Sequence, residues 1–256
     1  MQLSEIVRAL GVVAHRFDID LLDCCDSTNA ELLARAESGA PSGSVVVTQT
    51  QTAGRGRRGR RWISAAGDSL TFSLLWRFAS GTVPVGLSLA VGLAVAQALE
   101  KAGAGNVKLK WPNDLLLEGK KLGGILVELV PGAPHSAVIG IGINLRLPDV
   151  MPDTLKAQSA ALTSSWQLAS PALLAGILTT LREVLEQFAA GGFARLRSGW
   201  LARHAHQDQP VSLLSDFATP RRGVCRGVDT DGALLFEING QTERVLSGEI
   251  SLRGAA

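Results

Sequence analysis

Residues 107–129 read VKLKWPNDLLLEGKKLGGILVEL, and this stretch decides the fold. Val107, Leu109 and Trp111 alternate with Lys108 and Lys110, the period of two that marks a half-exposed strand. Pro112 fixes the backbone where that strand ends, so Asn113 and Asp114 are presented at a sharp turn. Leu115 to Leu117 and Leu122 to Leu129 read as two further strands, and Glu118-Gly119-Lys120 as the tight turn that joins them. A sheet therefore lies here, and the rest of the chain must cover it.

Upstream, Leu87 to Leu99 reads as a helix buried against that sheet, Leu70 to Phe78 as a buried strand, and Val45 to Thr48 as a strand running into Gln49 and Gln51. Ser27-Thr28-Asn29 supplies a polar cap for a helical pattern of Ala30, Leu32, Leu33 and Ala36. Downstream, Val138 to Leu145 is another strand. Leu173, Leu174, Ile177, Leu178, Leu181, Val184, Leu185 and Phe188 then fit one face of a long helix. After His206 the pattern changes to short strands at 211–214, 223–228, 233–238 and 244–246, with Asp231-Gly232 and Asn239-Gly240 as turns. The expected fold is α/β with a mixed sheet over residues 1–207, followed by a small antiparallel β-barrel over 208–256.

Of the 256 residues, 46% are hydrophobic and 19% charged, which supplies a sizeable core and excludes a disordered chain. Lys and Arg number 25 against 23 Asp and Glu, a formal net of +2, so any basic function has to be local. The three cysteines include an adjacent pair, Cys24-Cys25, and no CxxC spacing, which points to reduced, packed thiols rather than disulfides or zinc. Residues 1–16 carry Glu5 and Arg8 and have no apolar run of the kind a signal peptide needs. The stretch from Val83 to Leu99 falls short of the roughly 20 apolar residues of a membrane span. A cytoplasmic location is expected.

Three constellations carry chemistry. Residues 54–62 interleave Arg55, Arg57, Arg58, Arg60 and Arg61 with Gly54, Gly56 and Gly59. Glycines let backbone N–H groups approach phosphate oxygens, and arginine adds planar, charge-assisted donors. Neither a Walker sequence nor a Rossmann glycine fingerprint is present. On composition alone the loop reads equally as a basic patch for nucleic acid or solvent. The second constellation is Asn113-Asp114 with Lys121, which returns a hairpin later beside Gly123 and Gly124; taken singly, these are an ordinary turn and a solvated lysine. The third is Gly140-Ile141-Gly142-Ile143-Asn144, where alternate glycines bare one strand face for a ligand or for tight packing. His204, His206 and Asp208 offer metal-ligand chemistry, with solvated side chains as the other reading, and the metal ligands are left unknown.

Taken together these segments resemble the biotin protein ligases. The resemblance rests on Asp26-Ser27-Thr28-Asn29, residues 51–60, Lys110-Trp111-Pro112-Asn113-Asp114, residues 121–128, residues 140–144, and the C-terminal Gly248-Glu249-Ile250-Ser251-Leu252-Arg253. It spans nearly the whole chain in the family's order. It implies a catalytic domain related to class II synthetases and lipoate ligases, then an SH3-like C-terminal domain. It implies that biotin and ATP are substrates with Mg²⁺, that biotinyl-5′-AMP is the intermediate, and that a lysine of a biotin carboxyl carrier protein is the acceptor. By the same resemblance Ser27, Thr28, Asn29 and Gln51 line the biotin pocket. Arg55, Gly56 and Arg57 form the closing loop, Lys121 contacts the reacting carboxylate or α-phosphate, Gly124 lies against biotin, Asn144 positions nucleotide, and Asp114 orients Lys121 or the acceptor lysine.

Two departures bear on expectation. Only about 25 residues precede Ser27, so the DNA-reading module of some family members is expected to be missing and no specific DNA is expected as a partner. Where some members stack tryptophan on adenine, residues 157–161 carry alanine, with Trp166 further along. The rivals are a lipoate ligase and a non-catalytic nucleic-acid binder using the Arg/Gly loop. The oligomer is expected to be a monomer or homodimer.

Overall fold

The computed structural model describes residues 1–162, 170–215, 219–247 and 250–254. Trp166, Gly248 and Glu249, all singled out above, lie outside the described residues. A mixed sheet of seven strands holds the centre: β1 (Asp18–Cys25), β2 (Ser44–Gln51), β3 (Ser69–Arg77), β4 (Lys108–Lys110), β5 (Asp114–Leu117), β6 (Lys120–Val130) and β7 (Ala133–Asn144). Their spatial order is β1-β2-β3-β7-β6-β5-β4. Only β1 and β2 pair in parallel, joined by the crossover helix α2 (Thr28–Glu37); the other neighbours are antiparallel.

Period-two alternation divides the sheet into two chemically different faces. On β3, Leu70, Phe72 and Leu74 enter the main core, while Thr71 and Ser73 face the other way. On β7, Ile139, Ile141 and Ile143 enter the core, while Gly140, Gly142 and Asn144 face the other way. The core face is covered by α1 (Leu3–Leu10), α3 (Leu87–Lys101) and α4 (Ser170–Gly191). Helix α3 buries residues all round, from Leu87 to Leu99, which explains why its sequence shows no polar stripe. Val83 and Val85 precede that helix and are exposed, and Gly86 makes the turn into it at φ 78°. The opposite face carries α2 over a smaller cluster of Leu32, Ala36, Val46, Leu75, Val130 and Val138, and leaves the glycine-bearing half of the sheet open as a cleft.

The Asn239-Gly240 turn appears as read, while the turn read over Glu118-Gly119-Lys120 is one residue shorter, because Lys120 pairs with Leu117 and opens β6. Glu118-Gly119 (φ 51° and 76°) and Asn239-Gly240 (φ 51° and 77°) adopt the positive-φ pair that right-twisted hairpins favour. The C-terminal strands are β8 (Pro210–Ser215), β9 (Arg221–Val228), β10 (Leu234–Ile238), β11 (Gln241–Val245) and β12 (Ile250–Gly254). They form an antiparallel sheet in the order β11-β10-β9-β8-β12. Among the described residues β11 and β12 are its two edges, so the sheet stands open where a closed barrel was expected. It is docked onto the larger sheet. The fully buried Trp111 donates its indole N–H to the Gly232 carbonyl at 3.1 Å, and residues 203–205 run beside β4, with Ala205 N donating to Leu109 O at 2.9 Å.

Two sequence readings are corrected. Cys225 is buried but Cys24 is exposed and Cys25 half-buried, because β1 is an edge strand none of whose residues is fully buried. Lys110 does not face solvent: its side chain is only 12% exposed, because the polar face of β4 borders the cleft. No described helix is long and apolar enough to cross a membrane.

Candidate active site

The cleft has a volume of about 570 Å³. Its floor is the glycine-bearing sheet face; its walls are the start of α2, the Arg/Gly loop, the corner at Asn113-Asp114 and the C-terminal strand β12. All of Ser27, Thr28, Asn29, Gln51, Arg55, Gly56, Arg57, Asp114, Lys121, Gly124 and Asn144 line it. These residues come from positions as far apart as 27 and 144, and the sheet order brings them together.

At one end, Ser27 stands as the N-cap of α2 without a side-chain capping bond, so Thr28 and Asn29 enter the cleft on the first helical turn. Gln51 Oε1 accepts from Thr28 N at 2.8 Å and from Thr28 Oγ1 at 3.3 Å. The Ser73 hydroxyl lies 2.7 Å from Thr28 Oγ1 and 2.5 Å from Asn29 Oδ1. All four side chains are buried. The result is a desolvated polar network, rigid enough to read a ligand's hydrogen-bonding groups.

The floor needs its glycines for packing. A Cβ at Gly142 would stand 2.5 Å from the Trp62 indole, and one at Gly140 would stand 2.2 Å from Asn29 Oδ1. Tight packing, rather than direct ligand approach, accounts for these two positions. At Gly124 a Cβ would meet the end of Lys121 at 3.4 Å and Asp114 Oδ1 at 3.9 Å.

At the other end Asp114 sits between two ammonium groups. Its Oδ1 lies 2.6 Å from Lys121 Nζ and its Oδ2 3.3 Å from Lys110 Nζ. Burial alone would raise the Asp114 carboxyl, but Lys121 and Lys110 outweigh it and hold the group below the usual carboxylate range. Burial lowers Lys110 from the usual lysine range, and the neighbouring Arg253 and Lys121 add to that effect against the pull of Asp114. Asn144 is buried, donating to Ala160 O at 3.0 Å, while its Oδ1 has no hydrogen-bond partner among the described residues. Lys121 N donates to Gln158 O and Ala160 N to Lys121 O, which places residues 157–159 at the cleft edge with no aromatic ring among them.

The Arg/Gly loop includes a short 3-10 turn, Arg57–Gly59, in which Arg58 (φ 60°) and Gly59 (φ 65°) are left-handed. Arg55 pairs with Glu128 at 2.8 Å. Arg57 reaches across the cleft to Asn113 Oδ1 at 3.3 Å and also donates to the Ser247 carbonyl. Burial lowers the Arg57 guanidinium from its usual value, against the opposing influence of Asp114. Sequence reading gave no role to Ser73, Lys110, Trp62 or Arg253 and offered His206 only to a metal site, yet all five touch the cleft or its lining network. Only Ser73 lacked any motif to signal it.

His204 and His206 do not form a metal site with Asp208: no cluster of three or more ligating side chains occurs among the described residues. His204 is buried, stacked 4.6 Å from the Trp200 ring and about 4 Å from Cys225 Sγ. Burial, helped by His206, pushes its imidazole down to about 4, and burial pushes the Cys225 thiol up to about 11. Both are neutral packing groups.

Residues 21–144 match the model of the biotin/lipoate A/B protein ligase family. The chain is 40% identical to the bifunctional ligase/repressor BirA of Salmonella typhimurium, over 93% of this chain and 75% of that one. It is 35% identical to the biotin–[acetyl-CoA-carboxylase] ligase of Mycobacterium tuberculosis, over 91% and 88% of the two chains. It superposes on the biotin protein ligase of Aquifex aeolicus, solved with biotin and ATP, with a TM-score of 0.81 and 30% identity over 93% of this chain and 99% of that one.

Proposed function

The chain belongs to the biotin/lipoate A/B protein ligase family, and from that premise we propose how its cleft carries out ATP-dependent biotinylation of a protein lysine. The chain is a ligase, and biotin and ATP are its substrates. One observation carries the residue assignment. Asp114 is the single carboxylate among the cleft's described lining, and Arg55, Arg57, Arg58, Arg60, Arg61, Lys110, Lys120, Lys121 and Arg253 surround it. A cavity so strongly cationic favours an anionic occupant, and a nucleoside triphosphate beside a carboxylate supplies one.

In this reading the buried network of Ser27, Thr28, Asn29 and Gln51 holds the biotin ring system, and Gly124 lets it lie against β6. The biotin carboxylate attacks the α-phosphorus of ATP, and the bond to the leaving pyrophosphate breaks. Lys121, held by Asp114, and Arg57, held over the cleft by Asn113, offset the charge that converging anionic oxygens build up. Arg55 and Gly56 complete the loop that shields the mixed anhydride from water. The acceptor lysine's amine then attacks the acyl carbon, AMP leaves, and an amide remains. Mg²⁺ bound with the nucleotide would offset phosphate charge, and with Asp114, the single carboxylate of the described lining, engaged by two lysines, the substrate's own oxygens would have to hold it. Asn144 Oδ1, buried without a partner among the described residues, is the oxygen offered to that end of the substrate.

The acceptor is a biotin carboxyl carrier protein of a carboxylase, and the setting is the cytoplasm. Residues 1–207 act as the catalytic domain, and 208–256 as a module that closes one wall, a reading supported by Leu252, Arg253 and Gly254 along the cleft. The inward course of Arg57 favours a nucleotide-facing loop over a DNA-facing one. Pyrophosphate release from ATP, with biotin or lipoate supplied separately, tests the reading. Release with biotin alone is expected; release with lipoate alone would make the chain a lipoate ligase, and release with neither would refute the adenylation.

A further inference from the structure

Glu128 joins two parts of the cleft. Outside the cleft's own lining, it follows the cleft residues Gly124 and Leu126 at two-residue steps along the same face of β6. One oxygen, Oε2, accepts both from Asn29 Nδ2 and from Arg55 Nη2, each at 2.8 Å. Asn29 also donates to Leu126 O at 3.2 Å, and its own Oδ1 meets Ser73, which reaches Thr28 and through it Gln51. One carboxylate oxygen therefore completes a continuous run of hydrogen bonds from the buried cleft wall to the Arg/Gly loop.

A carboxylate at this place would repel an anionic substrate, so its use lies in the cation it holds. Charge-assisted bonds are roughly twice as strong as neutral ones, and a guanidinium has five N–H donors, so the pairing leaves donors for a ligand. The Glu128 side chain is 28% exposed and that of Arg55 43%, so the weight of the pair lies in the oxygen it shares with buried Asn29 rather than in the exposed ion pair by itself. Facing β6 behind the loop is a second cavity, of about 720 Å³, lined by residues 53–61, Leu126 and Glu128. Apart from Glu128, Leu126 is the one β6 residue in that cavity's described lining, and its side chain is uncharged.

We propose that Glu128 is a positioning residue that clasps the Arg/Gly loop to the cleft wall, coupling occupancy of the Asn29 end to loop closure so that the acyl-adenylate is retained. The inference rests on the reading of the cleft as an acyl-adenylate site. Glu128→Gln keeps the shape and an acceptor for Asn29 while removing the charge that Arg55 pairs with.

The test has two arms. In the first, enzyme loaded with biotin and labelled ATP is passed through a desalting column, and loss of bound adenylate is followed in time. Glu128→Gln is expected to lose it at least 10-fold faster than wild type, with a smaller change in kcat for pyrophosphate release. Arg55→Gln should lose it at least as fast, since it removes the same pair together with the ligand-facing donors, and the double variant should match Arg55→Gln. In the second arm, ligand-free protein is treated with trypsin. Cleavage at Arg60 and Arg61, which are exposed, should be several-fold faster in Glu128→Gln. Wild-type retention and wild-type cleavage together overturn the proposal. Retention longer than wild type also overturns it, because Glu128 would then compete with the ligand for Arg55. If wild type itself holds no adenylate, the functional reading fails, while the cleavage arm still decides the clasp.

Discussion

Asp114→Asn is the sharpest perturbation of the cleft, because one neutralised carboxylate strands two lysines. On the Lys110 side the ammonium is 12% exposed and loses its partner. Removing one member of a buried pair costs about 3–5 kcal/mol. Asparagine keeps an oxygen in place, which puts the effect near 3 kcal/mol. The Lys121 side, with Lys121 41% exposed, adds about 0–1 kcal/mol. For a chain of this length each kcal/mol moves Tm by roughly 2–4 °C, so the combined loss of about 3–4 kcal/mol should lower Tm by about 6–16 °C. The kinetic effect is separate. Lys121 loses the group that holds it at 2.6 Å, and kcat for biotin-dependent pyrophosphate release should fall by about 10²-fold. Scanning calorimetry and a pyrophosphate assay read the two effects. The double variant Lys110→Met, Asp114→Asn removes the stranded buried charge and should recover much of the Tm but none of the rate. An Asp114→Asn protein with wild-type Tm and kcat would refute the arrangement. Recovery of rate in the double variant would refute the claim that Asp114 acts through Lys121.

Three further outcomes are expected. Lys121→Ala should lower kcat for adenylation by about 10²-fold with a smaller change in biotin affinity, measured by pyrophosphate release and by titration calorimetry; poor biotin binding with normal turnover at saturation would place Lys121 in ground-state binding instead. Arg57→Gly should leave the fold intact but release free biotinyl-AMP that labels bystander lysines, read by streptavidin blotting of an added inert protein; labelling confined to the proper acceptor at the normal rate would contradict it. His204 is neutral in the folded chain down to about 4, while the unfolded chain takes up its proton below 6.5. Stability from this group is complete above pH 6.5 and lost as pH falls toward 4, about 2 kcal/mol of it by pH 5. Urea unfolding should show a flatter pH dependence in this window for His204→Asn than for wild type; parallel curves would refute the assignment.

The cleft was more legible in the sequence than the sheet that carries it. Residues 54–62, 110–114 and 140–144 advertise themselves because arginine, glycine and Pro-Asn-Asp are costly choices in a strand-rich region. Strand β1 stayed hidden: Asp18, Asp20 and Asp23 interrupt its apolar residues, as suits an edge strand with a single, parallel partner. Helix α1 was missed for a related reason, since only Ile6 and Leu10 are buried. Lys110 was read as solvent-facing because alternation tells one face from the other but not what the polar face meets. Glu128 lay inside a quoted motif, yet its pairing with Arg55 joins residues 73 apart in sequence. No local pattern reports such a distance. The open C-terminal sheet also could not be told from a barrel, since strand spacing does not say whether the two edges meet.

The central claim is that one cleft both makes and hands over a biotinyl-adenylate. The direct measurement is a single-turnover chase: enzyme, biotin and α-labelled ATP form the bound intermediate, excess unlabelled ATP is added, and then purified biotin carboxyl carrier protein. Wild type should release labelled AMP in step with a single new biotinyl amide on the carrier lysine, located by peptide mass spectrometry. A biotinyl amide formed without labelled AMP release, or labelled adenylate that persists while the carrier lysine stays unmodified, would contradict the account.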